Sequence, residues 1–298
     1  MTLELTFEER LETVADKITL LLDNLIPRSI GPETELFSAM RYAALGSGKR
    51  MRPLFVLECG GLFDVSNNRL LRVAAAVECI HTYSLIHDDL PCMDDDDLRR
   101  GRPTVHRAYS ESLAVLAGDA LQTLAFEILA HEDTHSQPAI RLALIAGLAK
   151  AAGAQGMVGG QAMDMAAGDA KMEMALVARM QRMKTGALFQ FSMEAGAIMA
   201  GASSEARYAL TAFAHDLGLA FQITDDLLDV EGDQDKTGKA VGKDAGQGKA
   251  SLIDDLGVEG ARERTKMLGE QAKSHLEIFG SSALILHQSV DFVISRSR

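Results

Sequence analysis

The sequence predicts an all-α fold, a single large bundle of about ten helices in one domain that spans residues 1–298. Helix-forming Ala, Leu, Met, Glu and Gln are abundant, whereas Trp is absent and only six prolines occur. Apolar residues recur with helical periodicity, and we find no alternating strand pattern of any length. No Pro- or Ser-rich linker divides the chain, and 298 residues with 47% hydrophobic content can bury a large core.

The predicted helices follow one another along the chain with short loops between most of them. They are Phe7–Leu25, Glu33–Leu45, Pro53–Phe63, Leu70–Leu90, Ser112–Ala130, Ala139–Ala152, Met172–Ala200, Ser204–Val230, Glu259–Phe279 and Ala283–Ser295. Small residues in "GMVGGQAMD", Gly156–Asp164, indicate close helix packing. The polar, glycine-rich stretch Glu231–Ser251 predicts a surface loop, a kind of segment that often serves as a lid.

Composition excludes several classes of protein. The net charge of -12 argues against a nucleic-acid partner, which needs a basic surface. Cys59, Cys79 and Cys92 show no CxxC spacing and are typical of free thiols in a reducing compartment. No uninterrupted apolar run reaches the roughly 18 residues of a membrane span, and the acidic N-terminus is unlike a signal or transit peptide. We therefore expect a cytoplasmic protein with no membrane partner.

Two aspartate clusters lie at the ends of predicted helices. His87–Pro103 reads "HDDLPCMDDDDLRRGRP", and Asp225–Asp233 reads "DDLLDVEGD". On an ideal helix, polar side chains at the end of each of the two helices fall on one stripe, which spans about 60° on the first helix and about 100° on the second. The stripes consist of His81, Ser84 and Asp88, and of Gln222, Asp225, Asp226 and Asp229. Because a helix C-terminus is negative, aspartates at two such ends suggest that bound cations compensate.

Basic residues near both clusters extend this argument to phosphate. Clustered carboxylates suit a hard cation, and Mg²⁺ commonly takes one or two carboxylates, waters and substrate phosphate oxygens as ligands. The bases are Lys49, Arg50, Arg52, Arg99, Arg100, Lys184, Lys239, Lys243 and Lys249. Carboxylate-held Mg²⁺ and direct cationic donors are what a diphosphate needs, so the pattern predicts a diphosphate site.

The motifs as a set resemble the trans-isoprenyl diphosphate synthase family. "HDDLPCMDDDDLRRGRPTVH" and "FQITDDLLDVEGD" are similar to its two aspartate-rich motifs, and "GSGKRMRP", "ECIHTYSLIHDD", "GGQAMD" and "KTGAL" match in the expected order. The resemblance covers about Leu36–Gly260. The closest subgroup is the bacterial farnesyl diphosphate synthases, because Leu90–Met93 separate Asp89 from Asp94 and Tyr83 stands five positions before Asp88.

The resemblance implies the isoprenoid synthase fold around a central cavity, usually in a homodimer, and three Mg²⁺ ions per active site, with Mn²⁺ as another possible metal. The implied metal ligands are Asp88, Asp94 and Asp225, supported by Asp89, Asp226 and Asp229. Lys49, Arg52, His81 and Arg100 would bind isopentenyl diphosphate. Arg99, Lys184, Lys239 and Lys249 would bind the allylic diphosphate. Thr185 and Gln222 would act with Lys184 near the developing carbocation.

The expected product is farnesyl diphosphate, made from isopentenyl diphosphate with dimethylallyl and then geranyl diphosphate. By resemblance, Tyr83, with small Ser84 beside it, would form the floor of the tunnel that sets chain length. On a helical wheel Tyr83 lies about 140° from Asp88, which also fits ordinary packing. The segment Gly248–Gly257 departs from the family pattern, so Lys249 matches less well than the other positions.

Four other interpretations stay open at this point. The first is a geranylgeranyl diphosphate synthase of the same family. A class I terpene cyclase shares the first motif, but its second metal site normally carries Asn and Ser or Thr, where this chain has three aspartates. A regulatory subunit of a heteromeric synthase would be expected to lose ligands. An acidic calcium-binding scaffold would leave the basic residues unexplained.

Overall fold

The computed structural model describes residues 5–167, 173–231 and 252–295, and most of these residues are helical. The all-α prediction is therefore confirmed. Contacts group the chain into two compact units, Met1–Ile145 and Ala146–Arg298. The single-domain prediction for residues 1–298 and the central cavity stay predictions.

The first unit is built around one buried helix. Its helices are α1 (Phe7–Leu25), α2 (Thr34–Ala44), α3 (Met51–Gly61), α4 (Asn67–Asp88), the short α5 (Val105–Ala108) and α6 (Glu111–Ala130). Helix α4 packs against α3 and α6, and every residue from Val73 to Ile80 is buried. Because α4 is buried on all sides over this stretch, it forms the centre of this unit, and it carries the start of the first aspartate motif at its C-terminal end.

Helix α1 shows why these segments form helices where the sequence predicts them. Thr6 caps its N-terminus, since its hydroxyl accepts a hydrogen bond from the Glu9 amide at 3.3 Å and the Glu9 carboxylate accepts one from the Thr6 amide at 2.9 Å. Val14, Ile18 and Leu22 follow at four-residue spacing and are fully buried. The reciprocal cap fixes the start of the helix and the apolar stripe fixes the face that it buries.

A small hairpin follows the aspartates of the first cluster, and no sequence pattern predicts it. Strand β1 (Leu98–Arg99) pairs antiparallel with β2 (Arg102–Pro103). The turn between them has positive φ at both residues, 53° at Arg100 and 75° at Gly101. Such a turn matches the twist of antiparallel strands. Strands of two residues are too short for an alternating pattern, which is why the sequence shows none here.

The second unit contains the remaining helices. Helix α7 (Pro138–Ala152) begins in the first unit and ends in the second. It is followed by α8 (Met157–Ala167), α9 (Met174–Gln181), a π-helical segment (Arg182–Gly186), α10 (Ala187–Ala200), α11 (Ser204–Glu231), α12 (Leu252–His275), a 3-10 helix (Glu277–Ala283) and α13 (Leu284–Ser295). Helix α11 packs against α10, α12 and α13. Asp225 and Asp226 of the second aspartate motif lie on this helix, which is the longest one described.

Two predicted helices differ from the observed ones. The predicted helix Met172–Ala200 is divided into α9, the π-helical segment and α10, because one turn holds an additional residue. Helix α12 begins earlier than the predicted Glu259, and it is interrupted at Gly257, where φ is 66° and ψ is 167°. The sequence also did not predict α8 as a separate helix.

Three described helical stretches are long and apolar enough to cross a membrane, judged by length and composition alone. They are Glu111–Ala130, Pro138–Ala167 and Glu277–Ser295. The expectation that no stretch would qualify is therefore wrong by this measure. In the first stretch, Leu121, Ala125 and Leu129 are buried, and the helix packs against α4. Much of the hydropathy of α6 therefore serves the core of the first unit.

Candidate active site

The end of α4 brings the first two predicted metal ligands together. The Asp94 amide donates a hydrogen bond to the Asp88 carbonyl at 2.8 Å, and the Asp95 amide donates to the Leu90 carbonyl at 3.1 Å. These bonds fold residues 90–95 back over the end of the helix. Asp94 is exposed and Asp88 is partly buried. The turn therefore holds the backbone of Asp94 beside that of Asp88.

Asp89 has a different environment from its neighbours. It is 3% exposed and accepts hydrogen bonds from Arg99 Nε at 2.7 Å and 3.0 Å, while Arg99 Nη2 lies 2.5 Å from its Oδ1. Burial raises the pKa of Asp89, and the contact with Arg99 acts against this rise. Asp89 is thus engaged with Arg99, and it fixes the position of this predicted ligand of the allylic diphosphate.

An open cleft lies beside this pair within the first unit. Four of the side chains that line it are arginines and two are carboxylates. The lining residues are Tyr42, Ala43, Gly46, Ser47, Arg50, Glu78, Thr82, Leu85, Ile86, Asp89, Arg99, Arg100, Arg102, Pro103, Thr104 and Val105. The charge of the lining therefore favours an anion.

Arg50 is a structural residue of this cleft. Its Nη1 lies 2.5 Å from Glu78 Oε1, and both side chains are almost fully buried. Its Nη2 donates to the carbonyls of Ala44 at 2.7 Å and Gly46 at 2.8 Å. Arg50 also has a φ of 51°, which is uncommon for a residue with a side chain. The buried pair thus holds the "GSGKR" loop against α4 at the start of α3.

The predicted isopentenyl diphosphate residues gather near Arg50, although only one of them lines the cleft. Arg100 does so, and its Nη1 donates to the Ser47 carbonyl. Burial lowers the pKa of Arg52, while the negative charge of Glu78 acts to raise it. Arg52 Nε is buried and has no hydrogen-bond acceptor among the described residues. Lys49 is exposed just before α3. Arg52 therefore has a donor that an anion could satisfy.

His81 is surrounded by positive charge. Burial holds its pKa well below the ordinary 6.5, and Arg52, Arg100, Arg50 and Arg99 act in the same direction. A neutral imidazole can donate one hydrogen bond without adding a further cation to the cluster. The cluster therefore contains His81 as a neutral polar group near neutral pH.

The two residues predicted to control chain length lie on α4 before Asp88. Tyr83 is 5% exposed and meets the His87 ring edge to face, with 5.7 Å between centroids. Its hydroxyl is buried and has no hydrogen-bond partner among the described residues, and burial, followed by Asp88, raises the pKa of Tyr83 to about 12. Ser84 Oγ donates to the His81 carbonyl at 2.9 Å. These contacts place Tyr83 in the core, and its role as a tunnel floor stays a prediction.

In the second unit the π-helical segment presents Lys184 and Thr185. Lys184 Nζ lies 2.6 Å from Asp164 Oδ2 on α8, and Thr185 is partly buried. A Cβ added to Gly160 would lie 2.2 Å from the Lys184 amide nitrogen, so only glycine permits this approach. The sequence prediction of close packing at "GGQAMD" is therefore confirmed. π-Helical turns often occur at functional sites.

Helix α11 carries the predicted residues Gln222, Asp225 and Asp226. The side-chain Nε2 of Gln222 donates to the Gln181 carbonyl at 3.1 Å, which ties α11 to the last residue of α9. Asp225 is exposed, and Asp226 is partly buried. The side chain of Asp229, and the whole of Lys239 and Lys249, lie outside the described residues.

Magnesium fits the donors present. Within residues 5–167, 173–231 and 252–295, no three His, Cys, Asp or Glu side chains are placed to hold a metal by themselves. The Asp88 and Asp94 pair, held by its backbone hydrogen bond, supplies the one or two carboxylates that Mg²⁺ typically uses, with phosphate and water as its other ligands. The number of ions stays a prediction.

Sequence reasoning missed Glu78 and Asp164 as partners of site residues. Both lie inside motifs that the sequence showed, since Glu78 stands in "ECIH" and Asp164 ends "GGQAMD". A carboxylate among apolar helix residues was the available signal, because such a group is rarely buried without a cation. The sequence could not show which cation it meets.

Comparisons with known proteins show the family of this chain. The model of the family described as "Polyprenyl synthetase" matches residues 33–278. The chain belongs to the polyprenyl synthetase family. It is 44% identical to the farnesyl diphosphate synthase of Geobacillus stearothermophilus over 92% of each chain. It is 42% identical to that of Escherichia coli (strain K12) over 98% of this chain and 99% of the relative.

A solved structure gives the same result for the fold. The apo structure of an FPP/GFPP synthase from Zymomonas mobilis has a TM-score of 0.90 and 49% identity, and it covers 96% of this chain and 98% of its own. The predicted family, the isoprenoid synthase fold and the prenyl transferase class of this polyprenyl synthetase are thereby confirmed. The individual site residues stay predictions.

Proposed function

We propose that this protein condenses isopentenyl diphosphate with dimethylallyl diphosphate and then with geranyl diphosphate, giving farnesyl diphosphate and diphosphate. The observation that carries the proposal is the arginine-lined cleft beside the folded Asp88 and Asp94 pair. The farnesyl diphosphate synthases at 44% and 42% identity support the product. A chain with this cleft and these relatives is best explained as a farnesyl diphosphate synthase.

Each diphosphate has its own set of candidate residues. Arg52, Arg100 and neutral His81, with Lys49, would bind isopentenyl diphosphate. Arg99 would donate to the allylic diphosphate, because Asp89 holds its guanidinium in place. Lys184, Lys239 and Lys249 would add positive charge there, as the family motifs imply. Cationic donors of this kind stabilise the leaving diphosphate.

Magnesium, or Mn²⁺, held by Asp88, Asp94 and Asp225, with Asp89, Asp226 and Asp229 in support, would supply positive charge at the diphosphate leaving group. Thr185 and Gln222 would place oxygen atoms near the allylic carbon as its bond to oxygen breaks. The double bond of isopentenyl diphosphate then attacks that carbon, and the product loses a proton. The departing diphosphate is the base, so no side chain is assigned this role.

We further propose that the protein is a cytoplasmic homodimer, with no membrane or nucleic-acid partner. Val115 and Leu116 on α6 and Leu142 on α7 are 41%, 51% and 67% exposed, and a second copy would cover such apolar side chains. Light scattering after gel filtration measures the mass in solution. A monomer at micromolar concentration would contradict the dimer.

The decisive experiment measures product length. The protein is incubated with labelled isopentenyl diphosphate and Mg²⁺, together with dimethylallyl, geranyl or farnesyl diphosphate in turn. We expect farnesyl diphosphate as the main product from the first two substrates. A twenty-carbon main product would establish the geranylgeranyl alternative. Ionisation of the allylic substrate without isopentenyl diphosphate would establish a cyclase, and no turnover would favour a regulatory subunit.

A variant at Tyr83 tests the chain-length prediction separately. Tyr83→Ala should extend the tunnel and shift the products towards twenty carbons or more, because it removes a large buried ring. The diphosphate residues stay in place, so the Michaelis constants should change little. If Tyr83→Ala leaves the product distribution unchanged, the tunnel floor lies elsewhere.

A further inference from the structure

The arginines of the cleft differ in how their charge is balanced. Arg50 is paired with Glu78 and Arg99 with Asp89, which uses both carboxylates of the lining. Within the part of the chain that the structure describes, no carboxylate lies within 4.0 Å of Arg100 or Arg102. The lining therefore carries two positive charges beyond its internal ion pairs. The family resemblance assigns a role to Arg100, but it assigns none to Arg102.

Arg102 is exposed, yet aromatic contacts hold its guanidinium at the rim of the cleft. Its Cζ lies 4.1 Å from the centroid of the Tyr42 ring. The Tyr42 hydroxyl donates to the Pro103 carbonyl at 2.8 Å, and the Tyr109 ring meets Tyr42 edge to face at 5.7 Å. The hydroxyl ties the ring to strand β2, which carries Arg102 itself. A guanidinium stacked on an aromatic ring keeps its N–H groups available in the guanidinium plane. Because the stacking already restricts the side chain, it loses less entropy when it binds an anion.

The position of Arg102 beside the "GSGKR" loop relates it to one of the two proposed diphosphate sites. A Cβ added to Gly46 would lie 3.3 Å from Arg102 Nη1, and one added to Gly48 would lie 2.3 Å from Arg100 Nη1. The two guanidinium groups therefore lie over neighbouring glycines of one loop. That loop leads into Arg52, so Arg102 lies with the residues assigned to isopentenyl diphosphate.

We propose that Arg102 is a further binding residue for the diphosphate group of isopentenyl diphosphate, held ready at the rim of the cleft by Tyr42. This inference rests on the proposed function. As an exposed cation at a cleft that already carries excess positive charge, Arg102 attracts the diphosphate before it reaches Arg100. It acts on capture of the substrate, and the bond-breaking step at the allylic carbon does not involve it.

The test is steady-state kinetics of Arg102→Gln, with each substrate varied in turn. We expect KM for isopentenyl diphosphate to rise about fivefold, with kcat and the KM of the allylic substrate within twofold of wild type. The decline of kcat/KM with rising salt should become shallower, because one steering charge is lost. The KM of Arg102→Lys for isopentenyl diphosphate should lie between those of the wild type and Arg102→Gln, because lysine keeps the positive charge but lacks the planar guanidinium that stacks on Tyr42.

Two controls separate this role from a structural one. Arg207→Gln removes an exposed cation from α11, outside the cleft, and should leave all constants unchanged. Tyr42→Leu removes the stacking ring and should reproduce part of the rise in KM, whereas Tyr42→Phe keeps the ring and should have a smaller effect. If the wild type makes product but Arg102→Gln leaves KM for isopentenyl diphosphate unchanged, or raises both KM values equally, the inference is wrong. If the wild type fails to condense the two substrates, the proposed function fails first.

Discussion

Replacing Gly160 by Ala should disturb Lys184 through the backbone. The added methyl group would lie 2.2 Å from the Lys184 amide nitrogen and 2.6 Å from its Cα. Ordinary contact begins at 3.4 Å, so the π-helical segment must move by the difference from 2.2 Å, about 1.2 Å. Overpacking of this kind costs about 1–3 kcal/mol of unfolding free energy. A misplacement of about 1 Å near the reacting groups can lower turnover on the order of a hundredfold.

Two measurements on Gly160→Ala test this expectation: urea denaturation followed by circular dichroism, and kcat at saturating substrates. The matched control is Gly61→Ala at the end of α3, where an added Cβ meets nothing within 4 Å. This control should unfold within about 1 kcal/mol of the wild type, or be stabilised, and should keep its activity. A Gly160→Ala protein with wild-type stability and turnover would refute the close approach. Lost stability with unchanged turnover would refute its link to Lys184.

Three further predictions concern the site, and four variants test them. Asp88→Ala or Asp225→Ala should lower turnover by roughly a thousandfold or more, while the helical content stays unchanged. Activity near that of the wild type in either variant, or full activity in excess EDTA, would contradict the metal assignment. Glu78→Gln leaves buried Arg50 without its carboxylate, so the unfolding free energy measured by denaturant titration should fall by about 3–5 kcal/mol. A loss below about 1 kcal/mol would show that the pair is not buried as described. The pKa of His81 is lowered in the folded state, so just below pH 6.5 only the unfolded chain binds a proton at this residue, and the unfolding free energy should decline as pH falls. His81→Asn should make this decline shallower. A pH profile of stability that is the same in His81→Asn and the wild type would contradict this prediction.

The sequence predicted most helices, because buried faces repeat at helical spacing and tertiary packing requires them to do so. It failed between Met172 and Ala200, where a π-helical turn changes the count by one residue without changing the composition. It also missed the hairpin around Arg100 and Gly101, since strands of two residues leave no periodic signal. Local departures from a repeating geometry are therefore what a periodicity argument cannot find.

The candidate site was predictable as a set of charged residues, but the pairing among them was not. Acidic and basic clusters are visible in the sequence, so a diphosphate site follows from composition and order. Arg50 pairs with Glu78, which is 28 positions away in the chain, and this pair removes both from the groups available to a ligand. Which arginines retain charge for an anion depends on such contacts, and only a folded structure provides them.

The π-helical turn Arg182–Gly186 behaves like an insertion of one residue within a continuous rod. One residue corresponds to a rotation of about 100°, so the turn sets the angular phase of α10 relative to α9. Deleting any single residue there would restore ordinary α-helical winding, and it would rotate α10 by about 100° relative to α9, so that its packed face would turn away from its neighbours. Substitutions in this turn change one side chain, whereas a change in its length alters the orientation of every side chain that follows on α10.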